Sequence, residues 1–161
     1  MKPVKKSNSK GLAGIVGAVA CAALLVFTPT QEGRELKTYR DIGGVLTYCD
    51  GATENAIWGK TYTPAECNAQ LDRDLERHAI GVASCVPMEK LTTGQRIAFV
   101  DTAYNIGVSA FCGSSMARQA NAGNVAASCA ALHKWVYVKG KVVRGLALRR
   151  ERSYKICMET K

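Results

Sequence analysis

Residues 11–27, GLAGIVGAVACAALLVF, run without a charge directly after MKPVKKSNSK, a stretch with four lysines and no acid. Positive charge ahead of an apolar run sets an orientation in which the N-terminus stays in the cytoplasm and the remainder is exported. As a helix the run would be roughly 25 Å long, a little short of the roughly 30 Å hydrocarbon layer of a bilayer. Gly11, Gly14, Gly17 and five alanines stand where a firmly held span would have leucine and isoleucine. A cleaved signal would need a small-x-small site, which VFTPTQEG does not offer. A lipid-modified Cys21 in AVAC would strand ALLVF after the cut. An uncleaved, weakly held anchor fits best. The chain therefore divides into residues 1–29, a cytoplasmic basic tail and anchor, and residues 30–161, one domain.

Seven cysteines at 21, 49, 67, 85, 112, 129 and 157 lack the close CxxC pairs of metal sites and redox motifs. They read as disulfide partners, which implies an oxidising compartment, and an export segment supplies one. The net charge of +9 thickens over KWVYVKGKVVRGLALRRERSYK. Such a surface attracts polyanions. No zinc-finger spacing, helix-turn-helix signature or aromatic RNA-binding box accompanies it, so nucleic acid is not an expected partner. An anionic cell envelope suits the same charge, as does a basic face that merely aids solubility.

Pro29 is expected to end the anchor helix, with a short helix over about 31–37 behind it. From Thr38 to about Tyr62, β-formers alternate with glycine, which predicts two or three short strands joined by tight turns. Thr63-Pro64-Ala65-Glu66 has the cap, the first-position proline and the third-position glutamate of a helix start, and opens a helix bearing Leu71, Leu75 and Ile80. A second helix from Thr92 or Thr93 puts Ile97, Ala98, Val100 and Ala103 on one face. Further helices are expected at about 115–122, 125–134 and 146–158. The fold class is α+β, with a small N-terminal β lobe, a larger helical C-terminal lobe and a ligand cleft between them.

Within QEGRELKTYRDIGGVLTYCDGAT, Glu32, Asp41 and Thr47 are spaced as Glu-x8-Asp-x5-Thr. Cleaving a glycosidic bond needs one carboxyl that stays protonated to donate to the leaving oxygen and one that stays ionised facing the developing oxocarbenium ion. Glu32 and Asp41 could take those roles, and Thr47 could hold the attacking water. On spacing alone a Glu and an Asp nine apart are more often solvated surface charges. His78 lies in a charged helical stretch and His133 at a helix end, so both read as surface or capping residues. There is no metal-ligand set, and no cofactor is expected.

The segment EGRELKTYRDIGGVLTYCDGAT resembles the catalytic signature of the phage-type lysozymes, glycoside hydrolase family 24: a glutamate, then aromatic-x-Asp, a glycine turn and a threonine in the next strand. GKTYTPAECNAQLDRDL resembles that family's helix after the β lobe. FVDTAYNIGVSAFCGSSMARQANAG resembles its aromatic-Asn-x-Gly helix, and WVYVKGKVVRGLALRRERSYKIC its closing Trp, Gly-Leu and Arg-Arg pattern. A weak uncleaved anchor ahead of such a domain resembles the signal-arrest-release endolysins. The resemblance implies a lysozyme-like fold and hydrolysis of the β-1,4 bond between N-acetylmuramic acid and N-acetylglucosamine in peptidoglycan. It implies Glu32 as general acid, with Glu35 the rival, Asp41 as the charge-supporting and water-directing carboxylate, Thr47 as the water holder and Asn105 as a cleft residue or a satisfied helix-end asparagine. Many members carry Gly-x-Gly-His after the threonine, where this chain has Tyr48-Cys49-Asp50-Gly51-Ala52. The ion pair that such a histidine would make is therefore not expected here.

In the fold so implied, Cys49 pairs with Cys67, Cys85 with Cys112 and Cys129 with Cys157, leaving Cys21 in the anchor as a possible redox switch. The expected partners are peptidoglycan, the host inner membrane through residues 11–27 and the host secretion machinery, with a monomer that works in the periplasm after release. Glu32 follows Phe27 by five residues, so an anchored chain holds it within about 15 Å of the membrane surface. That predicts an inactive tethered form, and an active domain when the anchor is replaced by a cleavable signal. Rival readings are a lytic transglycosylase, a catalytically dead peptidoglycan-binding module and a nucleic-acid binder.

Overall fold

The computed structural model describes residues 10–159; residues 1–9, most of the lysine-rich tail, lie outside the described residues. The uncharged run forms two helices, α1 (Gly11–Val16) and α2 (Ala18–Glu32). They meet at Gly17, whose φ of +92° is open to glycine and strained for other residues. Arg96 spans the break by donating from Nη1 to the Val16 carbonyl at 3.1 Å. Leu12, Val16, Ala20, Leu24 and Thr28, each four residues from the next, are all buried. They pack against α3 and α4, described below, while Val19 and Val26 face outward. Among the described residues no helix is long and apolar enough to cross a membrane.

Two local expectations are corrected here. Pro29 does not end the helix but sits inside α2. Its ring removes one backbone donor, yet the helix continues because Thr28 is pinned to the core by a hydrogen bond to Asp101 and the Gly33 amide closes the last turn on the Pro29 carbonyl at 3.1 Å. The short helix expected over 31–37 is instead the end of α2, a left-handed Gly33 (φ +72°) and the start of β1.

Strands β1 (Glu35–Arg40) and β2 (Leu46–Cys49) pair antiparallel with a bulge between Glu35 and Tyr39. A third segment joins this sheet through a Lys37–Thr61 bridge and through the Thr38 hydroxyl, which donates to the Ile57 carbonyl at 2.8 Å. The lobe has its own small core of Tyr48, Cys49, Ala52, Tyr62 and Cys67, with the two tyrosine rings stacked at 4.3 Å. Helix α3 (Pro64–Cys85) begins with the expected capping box between Thr63 and Glu66. Its buried stripe is Leu71, Leu75, Ala79 and Val82, and Ile80 is 54 % exposed, one position off the stripe on which it was expected.

Helix α4 (Thr93–Ile106), also opened by a capping box, is buried at every residue from Ile97 to Ala103. One buried face was expected; α4 is instead the central helix, packed on by α2, α3 and α8. Short helices α5 (Val108–Cys112), α6 (Ser115–Asn121) and α7 (Val125–Ala130) follow, then a 3-10 turn, an exposed hairpin of β3 (Tyr137–Val138) and β4 (Lys141–Val142), and α8 (Arg144–Met158). Disulfides join Cys49 to Cys67, Cys85 to Cys112 and Cys129 to Cys157, the pairing that the resemblance implies. The main core is continuous from Leu12 to Cys157, so the uncharged run is part of the same packed body as the helical lobe.

Candidate active site

Glu32 is the last residue of α2, and Gly33 turns the chain away so that its carboxyl is left facing the β lobe. Gly51, after β2, approaches it closely: a side chain's first carbon at that position would stand 3.7 Å from Glu32 Oε2. On the opposite side Arg149 of α8 donates from Nη1 to Glu32 Oε1 at 2.6 Å. Arg149 is itself held by Asp101 of α4, with Nη2 3.3 Å from Oδ1, and that same Oδ1 accepts from Thr28 Oγ1 at 2.9 Å. Burial pushes the Glu32 carboxyl above its ordinary 4.5; Arg149 opposes the shift, and the negative charges of Asp101 and Asp50 add to it. Asp101, fully buried, is also pushed upward by burial against the pull of Arg149, Thr28 and Arg150. Burial brings Arg150 down to about 10, which leaves it charged.

Asp41 is exposed at the start of the turn between β1 and β2. Its Oδ1 accepts from the Val45 amide at 2.8 Å, its own amide donates to the Val45 carbonyl and its carbonyl accepts from the Gly44 amide. The turn thus fixes one carboxylate oxygen. Thr47 stands opposite Tyr39 in the pairing of the two strands, so their side chains share a face, and Asp41 lies two residues beyond Tyr39 on that alternation. Thr47 is buried and its hydroxyl donates to the Val45 carbonyl at 3.0 Å; its lone pairs keep accepting capacity. Burial, followed by the negative charges of Glu35, Asp41 and Glu32, raises the Tyr39 phenol above 10.0.

Glu35, the rival acid, belongs to β1 and pairs in register with Cys49. Asn105, next to last in α4, accepts on Oδ1 from Arg150 Nη2. Where the family's histidine is missing, Asp50 takes three hydrogen bonds from Arg34, the shortest at 2.7 Å, and Arg34 also reaches Asn68 at 2.7 Å. Tyr104 of α4 ties down the same loop by donating to the Asp50 carbonyl at 2.6 Å. Cys21 is the one cysteine outside a disulfide among the described residues. Burial and the charge of Asp72 push its thiol upward, which disfavours the thiolate that attacks a disulfide. A hollow of about 480 Å³ is lined by Gln70, Arg73, Asp74, Arg77 and others but by none of Glu32, Asp41 or Thr47. A smaller one of about 170 Å³ includes Gly51, which adjoins Glu32, and Tyr104.

Sequence reasoning did not single out Arg149, Asp101, Thr28 or Arg34. Asp101 carried a signal, a charge inside the otherwise apolar IAFVDTAY. Arg149 carried a fainter one in the adjacent pair Arg149-Arg150, and Thr28 carried none.

Residues 29–153 match the phage lysozyme family. The chain belongs to the phage lysozyme family. This phage lysozyme is 38 % identical over 149 residues to the SAR-endolysin of Bacteriophage PS119, covering 88 % of this chain and 87 % of that one. It is 35 % identical over 162 residues to the SAR-endolysin of Enterobacteria phage PA-2, covering 96 % and 95 %. Its fold is similar to the muramidase domain of SpmX from Asticaccaulis excentricus, with a TM-score of 0.78 at 26 % identity, covering 85 % of this chain and 95 % of that one. This phage lysozyme is a glycoside hydrolase of lysozyme type, with a mostly helical body and a small two-stranded sheet, β1-β2, beside Glu32.

Proposed function

We propose that this lysozyme is an endolysin whose Glu32 protonates the glycosidic oxygen between N-acetylmuramic acid and N-acetylglucosamine while Asp41 supports the oxocarbenium charge and directs water. The observation that carries the assignment is the setting of Glu32: a half-buried carboxyl with a raised pKa, held by one arginine and turned toward a hairpin that bears an exposed carboxylate. A general acid works best when its pKa approaches the working pH. Asp41 is exposed on the hairpin, open to a glycan lying over it, whereas Glu32 is shielded beside Arg149. Thr47 accepts a hydrogen bond from the attacking water, Asp41 takes the one proton the water loses as its oxygen bonds to the anomeric carbon, the Glu32 proton leaves on the glycosidic oxygen, and hydrolysis yields a reducing muramic end. Asn105, whose oxygen is taken by Arg150, meets the glycan through its amide N–H groups.

The same reading includes a membrane-tethered stage. The lysine-rich start, the uncharged Gly/Ala run and relatives called SAR-endolysins along 88 % and 96 % of this chain support export by the host secretion machinery and an anchor at residues 11–27. A chain so tethered lacks Leu12, Val16, Ala20, Leu24 and Thr28 in its core, and Glu32 is not yet seated beside Arg149. Release into the periplasm supplies both. The division near residues 29 and 30 then separates a segment that changes surroundings from one that does not.

A cell-wall zymogram of soluble wild-type protein and Glu32→Gln, with analysis of the released ends, tests the chemistry. Wild type is expected to clear the wall and leave reducing rather than anhydromuramic ends, and Glu32→Gln to leave it intact. Clearing by Glu32→Gln would assign the acid elsewhere.

A further inference from the structure

We propose that Thr28 is a positioning residue for the catalytic acid: its hydroxyl fixes Asp101, Asp101 fixes Arg149, and Arg149 fixes Glu32. The inference rests on Glu32 being the acid and goes beyond that assignment. Four side chains from three helices form a linear chain of contacts. Thr28 Oγ1 donates to Asp101 Oδ1 at 2.9 Å, Arg149 Nη2 donates to the same oxygen at 3.3 Å, and Arg149 Nη1 donates to Glu32 Oε1 at 2.6 Å. Thr28 and Asp101 are both fully buried, and the Arg149 side chain is 6 % exposed. Asp101 Oδ2 and Arg149 Nε have no partner among the described residues. The hydroxyl of Thr28 is thus one of few donors available to a buried carboxylate, and a buried carboxylate short of donors is poorly held in its charged form.

Thr28 lies on the buried face that begins with Leu12 and Val16. A valine would fill nearly the same volume and satisfy the packing, so the hydroxyl itself calls for an account. It lies one turn before Glu32 on the same helix, and its partner Asp101 reaches Glu32 again through Arg149. The loop of contacts closes on the acid from both ends, which fixes the rotation of the last turn of α2 as well as the position of the guanidinium. Because Thr28 directly follows the uncharged run, the chain is complete only when that run is seated in the domain.

The charged groups facing Glu32 are Arg149 from α8, Asp101 from α4 and Asp50 from the end of β2. Those facing Asp101 are Arg149 and Arg150, both from α8. Removing the Thr28 hydroxyl makes the charged form of Asp101 less favourable. A neutral Asp101 stops repelling a charge on Glu32 and leaves Arg149 to Glu32 alone. Both effects lower the pH at which Glu32 gives up its proton, so the alkaline limb of the activity profile moves to lower pH.

The test uses the full chain recovered in soluble, released form, with rates expressed per mole of folded protein and reducing ends counted on purified peptidoglycan at constant ionic strength. Thr28→Val is expected to move the alkaline limb down by about half a pH unit and to lower kcat with KM near wild type. Thr28→Ser is expected to return the limb most of the way. Asp101→Asn is expected to move the limb in the same direction, and adding Thr28→Val to it to produce no further movement. If Thr28→Val does not fold, Thr28→Ser and Asp101→Asn carry the test: Asp101→Asn with an unmoved limb overturns the proposal. A folded Thr28→Val with the wild-type profile and only a lower melting temperature also overturns it and leaves Thr28 a packing residue. An active Glu32→Gln would instead remove the assignment on which the inference rests, so the two failures are distinguishable.

Discussion

Arg149 performs two opposed tasks at one acid. It holds Glu32 in place, and by its charge it lowers a pKa that burial raises. Replacing it with methionine leaves Asp101 buried without its cation, and breaking a buried ion pair in this way costs about 3–5 kcal/mol. Arg149→Met is therefore expected to lower the melting temperature sharply and, in whatever folds, to move the alkaline limb of activity upward, opposite to the direction for Thr28→Val. A pH titration of stability reads the same groups. Glu32 and Asp101 both have folded-state pKa values above their ordinary 4.5 and 3.8, so between those values and the raised ones the folded state binds more protons than the unfolded one. Stability from these two groups is present at lower pH and is lost as pH rises through the window. Melting curves of Glu32→Gln are expected to show a shallower decline across it than wild type, and an unchanged slope would mean that Glu32 is not desolvated. The candidate acid, carboxylate and threonine could be proposed from sequence because one helix end and one hairpin carry them within a single stretch. Arg149 was not, because it meets Glu32 across 117 positions and only tertiary packing decides which arginine of a pair turns inward.

At the scale of elements, Gly17 lets one uncharged segment become two helices. With the bend there, α1 packs chiefly on α3 and α2 chiefly on α4. Gly17→Leu would force a left-handed φ on a bulky residue, at about 1–3 kcal/mol, and place its first side-chain carbon 3.3 Å from Arg96 Nη1. A lower melting temperature of the soluble form and a larger membrane-bound fraction after cell fractionation are expected; wild-type partition would show that the bend is incidental. The Cys49–Cys67 bond ties the strand before Asp50 to α3 and closes a span of 18 residues. Replacing both cysteines with serine is expected to cost about 3 kcal/mol, by loop-closure entropy, and to reduce activity through the loop that carries Gly51. Helix starts were legible wherever the cap is written in local sequence, as at Thr63 and Thr92. The phase of α3 was missed at Ile80, and the end of α2 was missed at Pro29, because contacts from α4 decide both.

For the whole molecule, the sequence suggests an independent domain behind a disposable anchor, whereas the packing makes the uncharged run a structural part of that domain. Burying Leu12, Val16 and Leu24 contributes about 1.5–3 kcal/mol each and Ala20 about 0.8, or roughly 5–10 kcal/mol together. A domain of this size is stable by roughly 5–15 kcal/mol in all, so the loss is comparable with the whole margin. Replacing residues 1–28 with a cleavable signal is therefore expected to yield a protein that is exported but unfolded or inactive, the reverse of the outcome expected from sequence. The expected readout is full-length protein that clears peptidoglycan once soluble, beside a truncated protein that does not and that is degraded faster in the periplasm. Equal activity and equal melting temperature in the two would show that the four buried side chains are dispensable. The proposed control by the membrane would then have to act through the distance of Glu32 from the bilayer alone. Under the packing described here, a single event, the entry of residues 11–28 into the core, both removes the tether and brings Thr28 and Glu32 to Asp101 and Arg149.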